Sequence, residues 1–168
     1  MREILFRAKR IDDSEWVEGY YAMMGKENLI RHYIVQNCAL TGLFEDPEDN
    51  MYFNDVEIDP ETLCQYTGLK DKNEKRIFEG DIFVFDDEVW ESAYTSCGIE
   101  YDSCDVKNYG AVGYCDYSAS FDFTKYKYNE NSVEADLHEN NTLDFVEFVS
   151  ELEVCGNIFD NPELLKGE

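Results

Sequence analysis

Glu79-Gly80-Asp81, with Asp71 a little upstream, is the most suggestive carboxylate set in this chain of 168 residues. Acidic side chains so grouped can hold a divalent cation, and a bound cation polarises phosphoryl oxygens for phosphodiester chemistry. A structural account of the same residues is stronger. Gly80 can relieve a bulge or adopt positive φ, and Asp81 can accept from backbone amides where a strand begins. Gly156-Asn157 has two readings as well, the end of a strand first and ligand contact second. Tyr66-Thr67-Gly68 reads by default as a structural turn. Tyr66, Asp71, Glu79, Asp81 and Asn157 are therefore the candidate binding residues. No catalytic residue and no resident metal or cofactor is expected.

Other chemistries find little support. The two histidines, His32 and His138, show no Ser-His or Cys-His spacing that would give a nucleophile its base. No Gly-rich phosphate loop occurs. The six cysteines lack the two-residue spacing of zinc knuckles and redox motifs. A disulfide framework needs an export route, and the first ten residues, with the apolar run Ile4-Leu5-Phe6 between charges, do not read as a signal peptide. The cysteines are expected to be free thiols acting mostly as small core residues. No window approaches the roughly 20 apolar residues that span a bilayer. The expectation is a soluble, cytoplasmic protein without membrane contact.

The charge narrows the class of partner. Thirty-eight acidic residues against 14 basic ones give a net charge of −24. Direct nucleic-acid binding is disfavoured, because phosphate contacts need clustered Lys and Arg. An acidic disordered tail is excluded by 12 Tyr, 11 Phe and 2 Trp, enough for a core. The first forty residues are balanced, with six basic and six acidic residues, whereas residues 81–120 hold nine acidic and one basic. A field of that sign keeps a protein soluble, and it also speeds encounters with basic surfaces. Tyrosines in expected loops add contact area of the kind enriched at interfaces.

The elements that must position these residues are mostly strands. Ile4 to Lys9 and Trp16 to Ala22 form an expected hairpin, with Arg7 and Lys9 on one face and Phe6 and Ala8 on the other. Turns are expected at Gly25–Asn28 and Asp71–Glu74, and further strands at Leu29–Val35 and Met51–Ile58. Asp59 then caps a short helix with Pro60 in its first position, continuing as one turn or as extended chain. Ile77 to Phe85 is the clearest strand, broken at Gly80-Asp81 and apolar on both faces beyond. Asp86 to Asn108 reads as a long irregular excursion. Gly110–Asp116 and Ser120–Phe123 form strands, Leu143–Val149 a short helix, and Leu152–Ile158 a closing strand. Asn161 caps a last helix begun by Pro162. The fold class is mainly β, with short-stranded sheets and two or three short helices. An SH3-like barrel is expected over 76–160, a β-rich part over 1–75 and the C-terminal helix over 161–168, all within a single unit.

Four segments resemble one family in order and along nearly the whole chain. They are Arg2-Glu3-Ile4-Leu5-Phe6-Arg7-Ala8-Lys9, followed by Trp16-Val17-Glu18-Gly19; Thr62 to Asn73; Ile77-Phe78-Glu79-Gly80-Asp81-Ile82; and Val154 to Leu165, with its Gly-Asn-Ile and Asn-Pro-Glu-Leu. The chain resembles the YopX proteins of phages and prophages. Glu74 departs from the pattern, standing where a turn glycine is usual, and 86–109 and 125–142 look enlarged. The resemblance implies a phage-encoded, β-rich protein capable of oligomerising. It implies no reaction and no active site.

The expected function is that of a non-enzymatic phage accessory protein that binds a host or phage protein. Two alternatives stand beside it. One is an acidic mimic of nucleic acid that occupies a basic groove on a host protein. The other is a metal-dependent enzyme using Asp71, Glu79 and Asp81. A homo-oligomer is a further possible assembly.

Overall fold

The computed structural model describes residues 3–26, 29–36, 54–127 and 145–166. The chain divides into two compact units, Met1–Gly68 and Leu69–Glu168. Its strands form two antiparallel sheets.

In the N-terminal unit the strands are β1 (Phe6–Lys9), β2 (Trp16–Lys26), β3 (Leu29–Gln36), β4 (Asn54–Glu57) and β5 (Cys64–Lys70), in the order β4-β3-β2-β1-β5. The period of two in the opening residues sorts the side chains as expected. Ala8, Val17, Ile34 and Ile58 make the core on one face, with Phe6 and Tyr21 against it. On the other, Arg7 and Lys9 both lie over the Trp16 ring, 4.8 and 5.5 Å from its centre, a cation–π arrangement. Asp59 accepts from the Glu61 amide at 3.0 Å and starts a single 3-10 turn, Pro60–Thr62. The chain then becomes extended as β5, so Tyr66-Thr67-Gly68 lies within a strand and not in a turn. β2 likewise runs through Gly25 and Lys26, where a turn was expected; 27–28, 37–53 and 128–144 lie outside the described residues.

β5 crosses the unit boundary, and a tight turn returns it to its hairpin partner β6 (Arg76–Phe78). The other sheet contains β7 (Asp81–Thr95), β8 (Gly98–Cys115), β9 (Ser120–Lys127) and β10 (Val154–Asn157), in the order β10-β7-β8-β9. No closed barrel is found among the described residues. Helix α1 (Phe145–Glu151) contributes Val149 to a core with Ile77, Phe83, Val112, Phe121, Phe123 and Val154. The Phe123 ring lies edge-on to Phe83 and Phe145, at 5.8 and 5.3 Å, a favoured aromatic geometry.

Two expectations are corrected here. Asp86 to Asn108 is not an irregular excursion. β7 and β8 pair without a break from Ile82↔Ala111 to Thr95↔Gly98. Its acidic residues are interspersed with enough β-branched and aromatic ones, such as Val89, Trp90, Tyr94 and Ile99, to sustain extended chain. Nor does Asn161 cap the last helical turn, Pro162–Leu165, with its side chain. Its side-chain Oδ1 turns back to accept from the Asn157 amide at 3.4 Å.

Candidate functional site

The C-terminal unit brings three of the five candidate residues, Asp71, Asp81 and Asn157, to one strand, β10, and leaves Glu79 at the corner before β7. Asp71 opens the turn after β5 and is only 4% exposed. Its Oδ1 accepts from the amides of Asn73 and Lys75 at 2.8 and 2.9 Å. Its Oδ2 accepts from the Val154 amide at 3.2 Å. Burial pushes this carboxyl up, but the amides of Lys75, Val154 and Asn73, with the Lys75 charge, outweigh it and hold the group below the ordinary aspartate range. The turn is tied down beside it as well. The Lys72 amide donates to the Leu152 carbonyl at 3.0 Å, and the Lys72 ammonium meets Glu153 at 3.1 Å. Within the turn Glu74 has a φ of 63°, the left-handed backbone that the missing glycine would adopt without strain.

The second attachment is the β6–β7 corner. Asp81 is 1% exposed and its Oδ2 accepts from the Phe78 amide at 2.8 Å, closing the corner over the half-buried Glu79 and the buried Gly80. Gly80 has a φ of 78°. Its amide donates to Val112 and its carbonyl accepts from Ile158, both at 2.8 Å. A Cβ there would sit 3.1 Å from Ile158 Cγ1.

The third is the end of β10. Asn157 pairs with Asp81 in the ladder, next to Gly156↔Ile82. Its Oδ1 accepts from the amides of Phe159 and Asp160, each at 2.9 Å, and its Nδ2 donates to Asp160 at 2.8 Å. The Asn161 amide donates back to the Asn157 carbonyl at 2.8 Å. The side chain thus organises the turn that ends the strand.

Tyr66 belongs to the N-terminal unit, is 6% exposed, and its amide donates to the Leu5 carbonyl at 2.8 Å. Among the described residues no three His, Cys, Asp or Glu side chains are grouped to hold a metal ion. The thiols are more exposed than expected. Cys64 is buried, but Cys97 and Cys155 are exposed and Cys115 lies between.

Sequence reasoning registered the acidity of the stretch from Asp86 to Asn108 but missed that it forms paired strands. From Asp86 to Lys107 the paired strands carry seven acidic residues and one basic one. The register sets Glu88 opposite Asp105 and Glu91 opposite Asp102. The signal was present in the β-formers on either side of Ser96-Cys97-Gly98, with Gly98 at a φ of 134° at the reversal.

A family model described as "YopX protein" matches residues 5–166. Among solved structures the chain is similar to that of protein EF1440 from Enterococcus faecalis, with 20% identity over 99% of this chain and 100% of that one, and a TM-score of 0.41. No curated protein matches.

Proposed function

Because the chain belongs to the YopX family, and its motif aspartates Asp71 and Asp81 are turned onto its own backbone, we propose that it is a phage accessory protein whose work is to bind another protein. The observation that carries this reading is the use of Asp71. All three of its described bonds hold a turn and β10 in place. The Asp81 carboxylate closes the β6–β7 corner, and the Asn157 side chain orders the turn that ends β10. These motif residues therefore secure a scaffold, and recognition falls to the surface that the scaffold displays. That surface is acidic overall, and it exposes Tyr20, Tyr114 and a fully exposed Tyr117. Exposed tyrosines supply contact area at little entropic cost.

The acidic β7–β8 pair favours one narrower reading, in which the chain imitates nucleic acid in a basic groove of a host protein. The two readings separate by salt. Tagged full-length protein is used to capture partners from lysate of the bacterial host, with washes at low and moderate salt. A nucleic-acid-binding partner lost at the higher salt supports mimicry. A partner kept at both supports an aromatic interface. No partner at either salt, or measurable turnover of a nucleotide or nucleic acid by the pure protein, overturns the binding role.

A further inference from the structure

The β7–β8 pair extends well beyond the strands that flank it. β10 reaches along β7 only from Asp81 to Phe83, and β9 reaches along β8 only from Tyr109 to Cys115. From Asp86↔Lys107 to Thr95↔Gly98 there are ten cross-strand pairs with no third strand among the described residues. At about 3.3 Å per residue this ribbon is about 30 Å long. A two-stranded ribbon is marginal by itself in water. This one also sets like charges opposite each other at Glu88↔Asp105 and Glu91↔Asp102, which destabilises the pairing further. An added strand of opposite charge would relieve both deficits.

An open strand edge is a template for any extended chain, and its side chains decide which chain is admitted. Residues 84–95 contain no Pro and no Lys, but four carboxylate-bearing residues: Asp86, Asp87, Glu88 and Glu91. Such an edge repels acidic strands. It also repels a second copy of this chain, which would bring the same carboxylates and another net charge of −24. We propose that the outer edge of β7, from Asp86 to Thr95, docks an extended segment of a partner protein with Lys or Arg at alternate positions, added as a third strand. This deepens the protein-binding reading and rests on it.

The test uses the isotopically labelled full chain and a nine-residue peptide alternating Lys with Val or Thr. The control is the same peptide with alternate backbone nitrogens methylated, which keeps the charge but cannot pair as a strand. The plain peptide is expected to shift the amide resonances of 86–95 and slow their exchange. The methylated peptide is expected to bind at least about tenfold more weakly, because the strand hydrogen bonds are lost. A double variant, Glu88→Lys with Glu91→Lys, weakens the plain peptide by a similar factor, with unshifted Ile82 and Phe83 amides reporting an intact sheet.

Equal binding of the two peptides overturns the inference, as do shifts mapping to another surface or no binding at low salt. Concentration-dependent protection of the same amides without peptide assigns the edge to a second copy, and overturns it too. In any of these cases the protein-binding reading stands or falls separately, on whether the lysate capture returns a partner.

Discussion

Asp71 and Val154 are 83 positions apart in the chain, and a carboxylate oxygen of the first accepts the backbone amide of the second at 3.2 Å. One buried side chain thereby joins the hairpin turn after β5 to the strand at the edge of the other sheet. It also joins two of the segments that mark the family.

Asp71→Asn keeps the shape and removes the charge. An amide NH₂ would then face one of the backbone donors that the carboxylate now satisfies. The expected loss is about 2–3 kcal/mol, the range for a buried charged acceptor taken from its partners. Urea unfolding at neutral pH measures it. The pH dependence has a definite sign. The folded-state carboxyl is held below its ordinary value, so its stabilisation is fully present above the unfolded aspartate value of about 3.9. It is lost as pH falls through the lower folded value. The gap between wild type and variant should narrow below about pH 4, and a gap constant down to acid unfolding would refute the assignment.

Glu74 tests the turn itself. Its positive φ strains any residue with a Cβ. Glu74→Gly should be more stable than Glu74→Ala by about 1 kcal/mol. Both lose the exposed pair with Lys70, so that loss cancels in the comparison. Thermal unfolding of the two variants settles the order.

Gly80→Ala should lower stability by about 1–2 kcal/mol, from positive φ and from crowding against Ile158. Unfolding by urea reads the loss. A neutral result would mean that the corner tolerates a side chain and that Gly80 is not required there.

Two thiols should differ in reactivity. The Ser118 hydroxyl, with the Ser118 and Tyr117 amides, lowers the Cys115 thiol below its ordinary value. Cys155 is exposed as a residue, but partial burial of its Sγ, which donates to the Ile82 carbonyl at 3.2 Å, raises that thiol, and the nearby Asp81 and Glu153 add to the shift. Alkylation with iodoacetamide near pH 8, followed by peptide mass spectrometry, should modify Cys115 before Cys155, because the thiolate is the reactive form. Ser118→Ala should slow Cys115 alone. The reverse order of modification would contradict this.

Much of the molecule was legible where the physics is local. The Asp59-Pro60 cap, the turn at Asp71–Glu74 and the sorting of Arg7 and Lys9 from Phe6 and Ala8 depend on neighbours a few residues away. The break at Gly80-Asp81 was legible for the same reason. What Asp71 and Asn157 do was not, because the decisive partner of Asp71 is a backbone amide on a remote strand, and no residue type announces that. The β7–β8 pair was missed for a different reason. Acidic residues are poor strand formers individually, and the pairing that holds them extended starts from the buried apolar Ile82, Phe83 and Ala111 at the base of the pair. Asn161 does not cap with its side chain because the turn just before it, closed on Asn157, takes that oxygen instead.

The placement of β10 also has a consequence in time. Synthesis runs from the N-terminus at about 5–20 residues per second, so the 83 positions between Asp71 and Val154 correspond to roughly 4–17 s on the ribosome. Throughout that interval the Asp71 carboxylate lacks its Val154 donor, and β7 lacks its edge partner. The β7–β8 and β8–β9 hairpins, whose contacts are local, can form meanwhile. The C-terminal unit therefore closes late in the life of the nascent chain, and a polypeptide whose synthesis stalls before Val154 holds a hairpin stack that cannot lock.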